Sequence, residues 1–143
     1  MENDTVRLLR ECDAGAKMGI ESIDDVLSEV KSEALKGRLM ESKDCHSVLT
    51  SEIHTALQRF GDDGKDPAVI AVGMSKIKTN AKLAMNHTDA TIADLMTDGC
   101  NMGVKSLSKY LNQYPAADNE ARSIAKRLIE EEERLGKSLR AYL

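Results

Sequence analysis

Residues 35–60 read LKGRLMESKDCHSVLTSEIHTALQRF, and residues 6–30 read VRLLRECDAGAKMGIESIDDVLSEV. In the first stretch Leu35, Leu39, Ser42, His46, Leu49, Ile53, Ala56 and Phe60 fall at alternating steps of three and four. Val6, Leu9, Asp13, Ala16, Ile20, Ile23, Leu27 and Val30 do the same in the second. Thirteen of those sixteen positions are apolar. A repeat averaging about 3.5 residues keeps them on one stripe of a helix. Two long helices joined by a short turn, each with one face to bury, must run antiparallel inside a bundle.

The rest of the chain follows the same code. Asp4 is placed to cap a first helix that reaches to about Lys31. Its end is read from a phase break, because Val30 to Leu35 is a step of five and Ser32 can cap a second helix running to Phe60. Gly61 suits a left-handed C-terminal cap, Asp62-Asp63-Gly64-Lys65 a polar loop, and Asp66-Pro67 the start of a third helix. That shorter helix, Pro67 to about Met85, carries Ile70, Met74, Ile77, Ala81 and Ala84 on one side. Asn86-His87-Thr88 breaks it. A fourth helix, capped by Thr88 and ended by Pro115, shows Ile92, Met96, Gly99, Gly103, Leu107 and Tyr110, and its two glycines, four apart, would admit a close neighbour. A last helix begins near Asp118 or Asn119 and carries Ala121, Ile124, Leu128, Leu135, Leu139 and Tyr142. Four helices of about 25–28 residues, near 40 Å each, and one shorter segment predict an all-α four-helix bundle. The short helix is then the crossover connection, and residues 1–143 form one domain.

Composition narrows the function. Of the 143 residues 41% are hydrophobic and only 3% aromatic, which suits helices better than a sheet. A net charge of −4 argues against a general nucleic-acid binder. No run of apolar residues is long enough to span a membrane, and Met1 to Arg10 is too polar for a secretory signal. The chain is therefore expected in the cytoplasm, where Cys12, Cys45 and Cys100, far apart and without a C-x-x-C pair, would be reduced.

Asp13, His46 and Glu131 interrupt the apolar stripes. Glu131 lies between Leu128 and Leu135, so it is the member of Glu130–Glu133 expected to point inward. With Glu41 these residues are the candidates for a metal site. Di-iron and di-manganese bundles need four carboxylates and two imidazoles, with Glu-x-x-His on each of two helices. Here the residues three before His46, His54 and His87 are Lys43, Ser51 and Ala84, so the motif does not occur. A buried histidine hydrogen-bonded to a neighbour, and glutamates on a solvated face, are the commoner readings of such residues. His54, expected exposed in mid-helix, is the candidate for a phosphotransfer bundle, although no Lys and Gly follow it closely. No nucleophile elbow or phosphate-binding loop occurs.

Leu8-Leu9-Arg10-Glu11-Cys12-Asp13-Ala14-Gly15, the break at Asn86-His87-Thr88-Asp89, and Gly99 within Met96-Thr97-Asp98-Gly99-Cys100-Asn101 together resemble the ferritin-like superfamily. Within it the similarity is to a bacterial group of uncharacterised four-helix-bundle proteins, some labelled stress-related. Thr97 and Cys100 stand where that group tends to have glutamates, so the resemblance implies a fold and no ligand set. The resulting expectation is a non-enzymatic ferritin-like bundle without cofactor, acting through a protein partner or a second copy of itself. A degenerate metal-binding protein and a phosphotransfer domain are the alternatives.

Overall fold

The computed structural model describes residues 3–67 and 88–143, and among them there are helices and no strands. Four long helices carry the fold. α1 spans Asp4–Leu27, α2 Glu33–Gln58, α3 Asp89–Gln113 and α4 Asn119–Leu139, and a 3₁₀ turn over Arg140–Tyr142 closes the chain. Residues 68–85 of the short helix expected from the sequence lie outside the described residues.

Each helix begins on a side-chain cap. Asn3, Ser32, Thr88 and Asp118 accept from the amides of Val6, Leu35, Thr91 and Ala121, so one orphan amide per helix is satisfied locally. The first of these corrects the expectation for Asp4. Asn3 is the cap, and Asp4 sits in the first turn, where its carboxylate accepts from the Ala116 amide at 3.0 Å. α1 also stops short of Lys31. After Leu27 the amides of Glu29 and Val30 reach back three residues, to Val26 and Leu27, and the tightened turn leads directly to the Ser32 cap. α2 ends before Phe60. The amides of Gly61 and Asp62 bond to the carbonyls of Gln58 and Leu57, with Gly61 left-handed at φ 66°, and Phe60 is left 45% exposed in the closing turn.

Loop contacts set the directions of the helices. Arg59 pairs with Glu120, so α2 ends where α4 begins. Asp118 donates its amide to the Thr5 hydroxyl, which puts the α3–α4 turn at the start of α1. Asp89 accepts from the amides of both Lys31 and Ser32 at 2.9 Å, which puts the start of α3 against the α1–α2 turn. α1 and α4 therefore run one way and α2 and α3 the other. α1 packs on α2 and α3, α4 packs on α2 and α3, and α1 also touches α4 across the middle. The α1–α2, α3–α4, α2–α4 and α1–α3 contacts are antiparallel and the α1–α4 contact is parallel, and the single long connection joins α2 to α3.

The apolar interior comes in two pieces. One gathers Leu8, Leu9, Cys12 and Ala16 of α1 with Leu49, Ile53 and Leu57 of α2, Leu107 of α3, and Ala121, Ile124, Ala125 and Leu128 of α4. The other gathers Ile23 and Val26 with Leu35 and Leu39, Ile92, Met96 and Cys100, and Leu135 and Leu139. On every helix the gap between the two falls at the same level: near Gly19, at Ser42 and His46, near Gly103, and at Glu131 and Glu132.

Asp89 is the clip that holds α3 to the first turn. Replacing it with Ala leaves two backbone amides without acceptors and should cost about 1–2 kcal/mol in urea unfolding. Asp98→Ala, at an exposed position on the same helix, should change stability by less than about 0.5 kcal/mol.

Candidate functional site

The gap between the two apolar pieces is filled by polar side chains. His46 is 1% exposed, and its Nδ1 lies 2.7 Å from the carbonyl oxygen of Ser42, one turn earlier in α2. Its Nε2 lies 2.6 Å from Oε1 of Glu132 on α4. Burial works against a charged ring here. The hydrogen bond and charge of Glu132, the Ser42 carbonyl and the nearby Glu131 outweigh it and hold the imidazole pKa above its ordinary value.

Two glycines make room for this pair. A Cβ on Gly19 of α1 would stand 2.9 Å from two atoms of the His46 ring, and one on Gly103 of α3 would stand 3.2 Å from the Glu132 carboxyl carbon. Both helices thus pass a bare backbone over the polar pair. Gly99 was expected to share that role with Gly103, but it faces solvent with open space around it, and the buried residue of that turn is Cys100. The seam of α3 runs through Ile92, Met96, Cys100, Gly103 and Leu107, so Gly103 falls on it while Gly99, one residue before Cys100, is turned about 100° away.

Glu131 does point inward and is 1% exposed, yet it is not the partner of His46. Its carboxylate lies 4.0 Å from Nη2 of Arg38 and 3.4 Å from Nη1 of Arg134, and neither carboxylate oxygen makes a hydrogen bond. Arg38 spends its Nε on the hydroxyl of Ser138 and approaches Glu41, an exposed surface residue, at 3.4 Å. The neighbouring thiols are held protonated. Burial pushes the Cys45 and Cys100 pKa values up, and the Glu131 and Glu132 charges push them further. Cys12, buried beside Glu11 and Asp13, is pushed up to about 12. Thiols so placed are poor nucleophiles.

Asp13 belongs to a different structure. It is fully buried, and it receives His54 Nε2 at 2.8 Å, Lys17 Nζ at 2.9 Å and the backbone amide of Lys65 at 2.8 Å. The loop after α2 is fastened to α1 by that carboxylate and by three flanking contacts. Arg10 bonds to Asp62, Lys65 Nζ meets Glu11 at 2.6 Å, and Lys17 bridges to Asp66 at 2.9 Å. Asp62 also accepts from the Gly64 amide. Although partial burial acts upward, that bond and Arg10 hold its carboxyl below the usual range. Gly64 has φ 92°, and a Cβ there would collide with the Asp13 carboxylate, so only glycine serves on both counts. This loop covers Asp13 at its end of the bundle, and the carboxylate is shut off from water.

The four metal candidates therefore separate. Asp13 lies six residues before Gly19 on α1, about 9 Å along the axis, and serves the loop. His46 is taken by Glu132 and Ser42, Glu131 by two arginines, and Glu41 by the surface. Among the described residues no three His, Cys, Asp or Glu side chains converge in a way that could hold a metal ion. His54 is 43% exposed and its Nε2 is committed to Asp13. Glu132 was the residue the sequence hid. It sits in a run of four glutamates, and its partner is 86 positions away. No protein-family model, curated protein or solved structure matches the chain.

The glycine windows give a direct check. Gly15 of α1 has no atom near its missing Cβ, so Gly15→Ala should stabilise the helix by about 0.5–1 kcal/mol in thermal or urea unfolding. Gly19→Ala gains the same propensity but drives a methyl into a buried, doubly bonded ring, and should be net destabilising by about 1–2 kcal/mol.

Proposed function

We propose that the protein is a non-enzymatic, ferritin-like helical bundle of the cytoplasm that acts by binding a protein partner or a second copy of itself. It would have no di-metal centre. The observation that carries this reading is the commitment of His46 and Asp13 to other groups of the same chain. Both ring nitrogens of His46 are engaged, both Asp13 oxygens are engaged, and Glu131 faces two arginines. Groups held this way specify packing and register rather than offer an open coordination position.

The chain topology supports the ferritin-like part as an analogy. Two antiparallel pairs joined by one long crossover is the connection pattern of ferritin-like bundles, and a shared architecture by itself assigns no chemistry. Met40 and Val48 on α2 and Met102 on α3 leave large apolar side chains in solvent, with Val48 63% and Met102 64% exposed. On the proposed reading these are contact residues. No helix among the described residues is long and apolar enough to cross a membrane.

Two measurements test the proposal together. Protein expressed with iron, manganese and zinc supplied and purified untagged should carry close to zero metal per chain, and a value near one or two overturns the reading. Light scattering across a concentration series should show the mass rising above one chain, or co-purification should return a defined protein partner. Val48→Glu and Met102→Glu should then weaken that association at least tenfold with the melting temperature little changed. A strictly monomeric protein that retains no partner would refute the binding role.

A further inference from the structure

We propose that His46 and Glu132 form a proton-operated clasp between α2 and α4, closed while the pair holds two protons and released when it loses one. The hydrogen-bond chemistry fixes the proton count. The carbonyl oxygen of Ser42 can only accept, so the Nδ1 facing it at 2.7 Å must carry a hydrogen. Nε2 faces a carboxyl oxygen at 2.6 Å, and two lone pairs cannot share that separation, so a second proton lies between them. Apart in water at neutral pH, an imidazole and a carboxyl group of this kind hold mostly one proton in total. Closing the α2–α4 contact therefore takes up a proton.

The surroundings make the pair sensitive to its loss. α1 offers Gly19 and α3 offers Gly103, neither with a side chain that could substitute as a donor. The remaining α3 neighbour, the Cys100 thiol, is held protonated by burial and by Glu132. From α4 Glu131 also faces this layer, and Arg38 of α2 and Arg134 of α4 are directed to it rather than to the ring. On the α2 side Cys45 is likewise kept a thiol, by burial and by Glu131. When the shared proton leaves, an imidazole lone pair is pressed against a carboxylate. His46 is locked in the core, but the Glu132 side chain is already 12% exposed and has a route to water. Its departure empties the space under Gly103 and loosens α4 at the level where the two apolar pieces meet.

The sign of the pH effect follows. His46 is raised in the folded chain, so its contribution is fully present below the unfolded value of about 6.5 and is lost as pH rises through the folded value. Glu132→Gln is the discriminating variant. A glutamine amide donates to the lone pair of a neutral ring whose Nδ1 still serves Ser42, so the clasp closes without the second proton. Thermal melts of the full chain from pH 6 to pH 9.5 should show wild type losing about 4 °C more than Glu132→Gln. Parallel melting curves for the two proteins would overturn the proposal. Should Glu132→Gln not fold, NMR of the wild-type His46 ring decides. A titration of the His46 ring with its midpoint above the ordinary imidazole value of about 6.5 is expected, and a midpoint at or below it refutes the clasp.

Discussion

A carboxylate and an imidazole at the centre of a four-helix bundle cannot be left alone, and much of this structure is arranged around that fact. Removing one charge from water costs several kcal/mol unless an opposite charge and good hydrogen bonds stand beside it. His46 and Glu132 satisfy each other at 2.6 Å, and they do so only because α1 and α3 present glycine at the two points of closest approach. The pair also divides the apolar interior into two pieces, so the helices have a fixed level at which they must align. An apolar seam of uniform Leu and Ile could slide by a heptad at little cost. A seam with one ion pair in the middle cannot, because any slip buries an unpaired charge.

Another buried carboxylate, Asp13, works at the boundary between helix and loop. Asp13 holds the 61–66 segment through the Lys65 amide while Lys17 balances its charge and the His54 ring bonds to its other oxygen. The effect is to seal one end of the first apolar piece and to fix where the chain departs from α2 toward the crossover. A buried acid that accepts from a loop backbone amide needs a partner loop that can come close, and Gly64 provides the missing side chain. The same clip logic appears at the other end, where Asp89 receives two amides of the α1–α2 turn. The turns are thus tied to helices distant in sequence by charged side chains, and the helix bodies by apolar ones.

How far the sequence could be read depended on whether the signal was periodic or pairwise. Ser32, Thr88 and Asp118 are legible as caps because capping involves residues only three apart. The inward direction of Asp13, Ser42, His46 and Glu131 is legible for the same reason, since each stands in phase with apolar neighbours on its own helix. Where local signals are weak the boundaries shift: α1 ends at Leu27 because no Gly or Pro marks the place and a few reversed-turn bonds decide it. The face of α3 is misread at Gly99, since glycine has no hydropathy to reveal which way it points.

The amino-acid sequence by itself determined four amphipathic helices, their order, and the polar positions in their seams, because each depends on residues three or four apart. Only the tertiary structure decided which seam residues meet. It set His46 against Glu132 rather than Glu131, gave Asp13 to a loop rather than to a metal-like cluster, and placed glycines over the pair. The two histidine–carboxylate contacts among those choices join residues 41 and 86 positions apart. They are fixed by the level at which four helices stop sliding past one another, and no single helix carries that quantity.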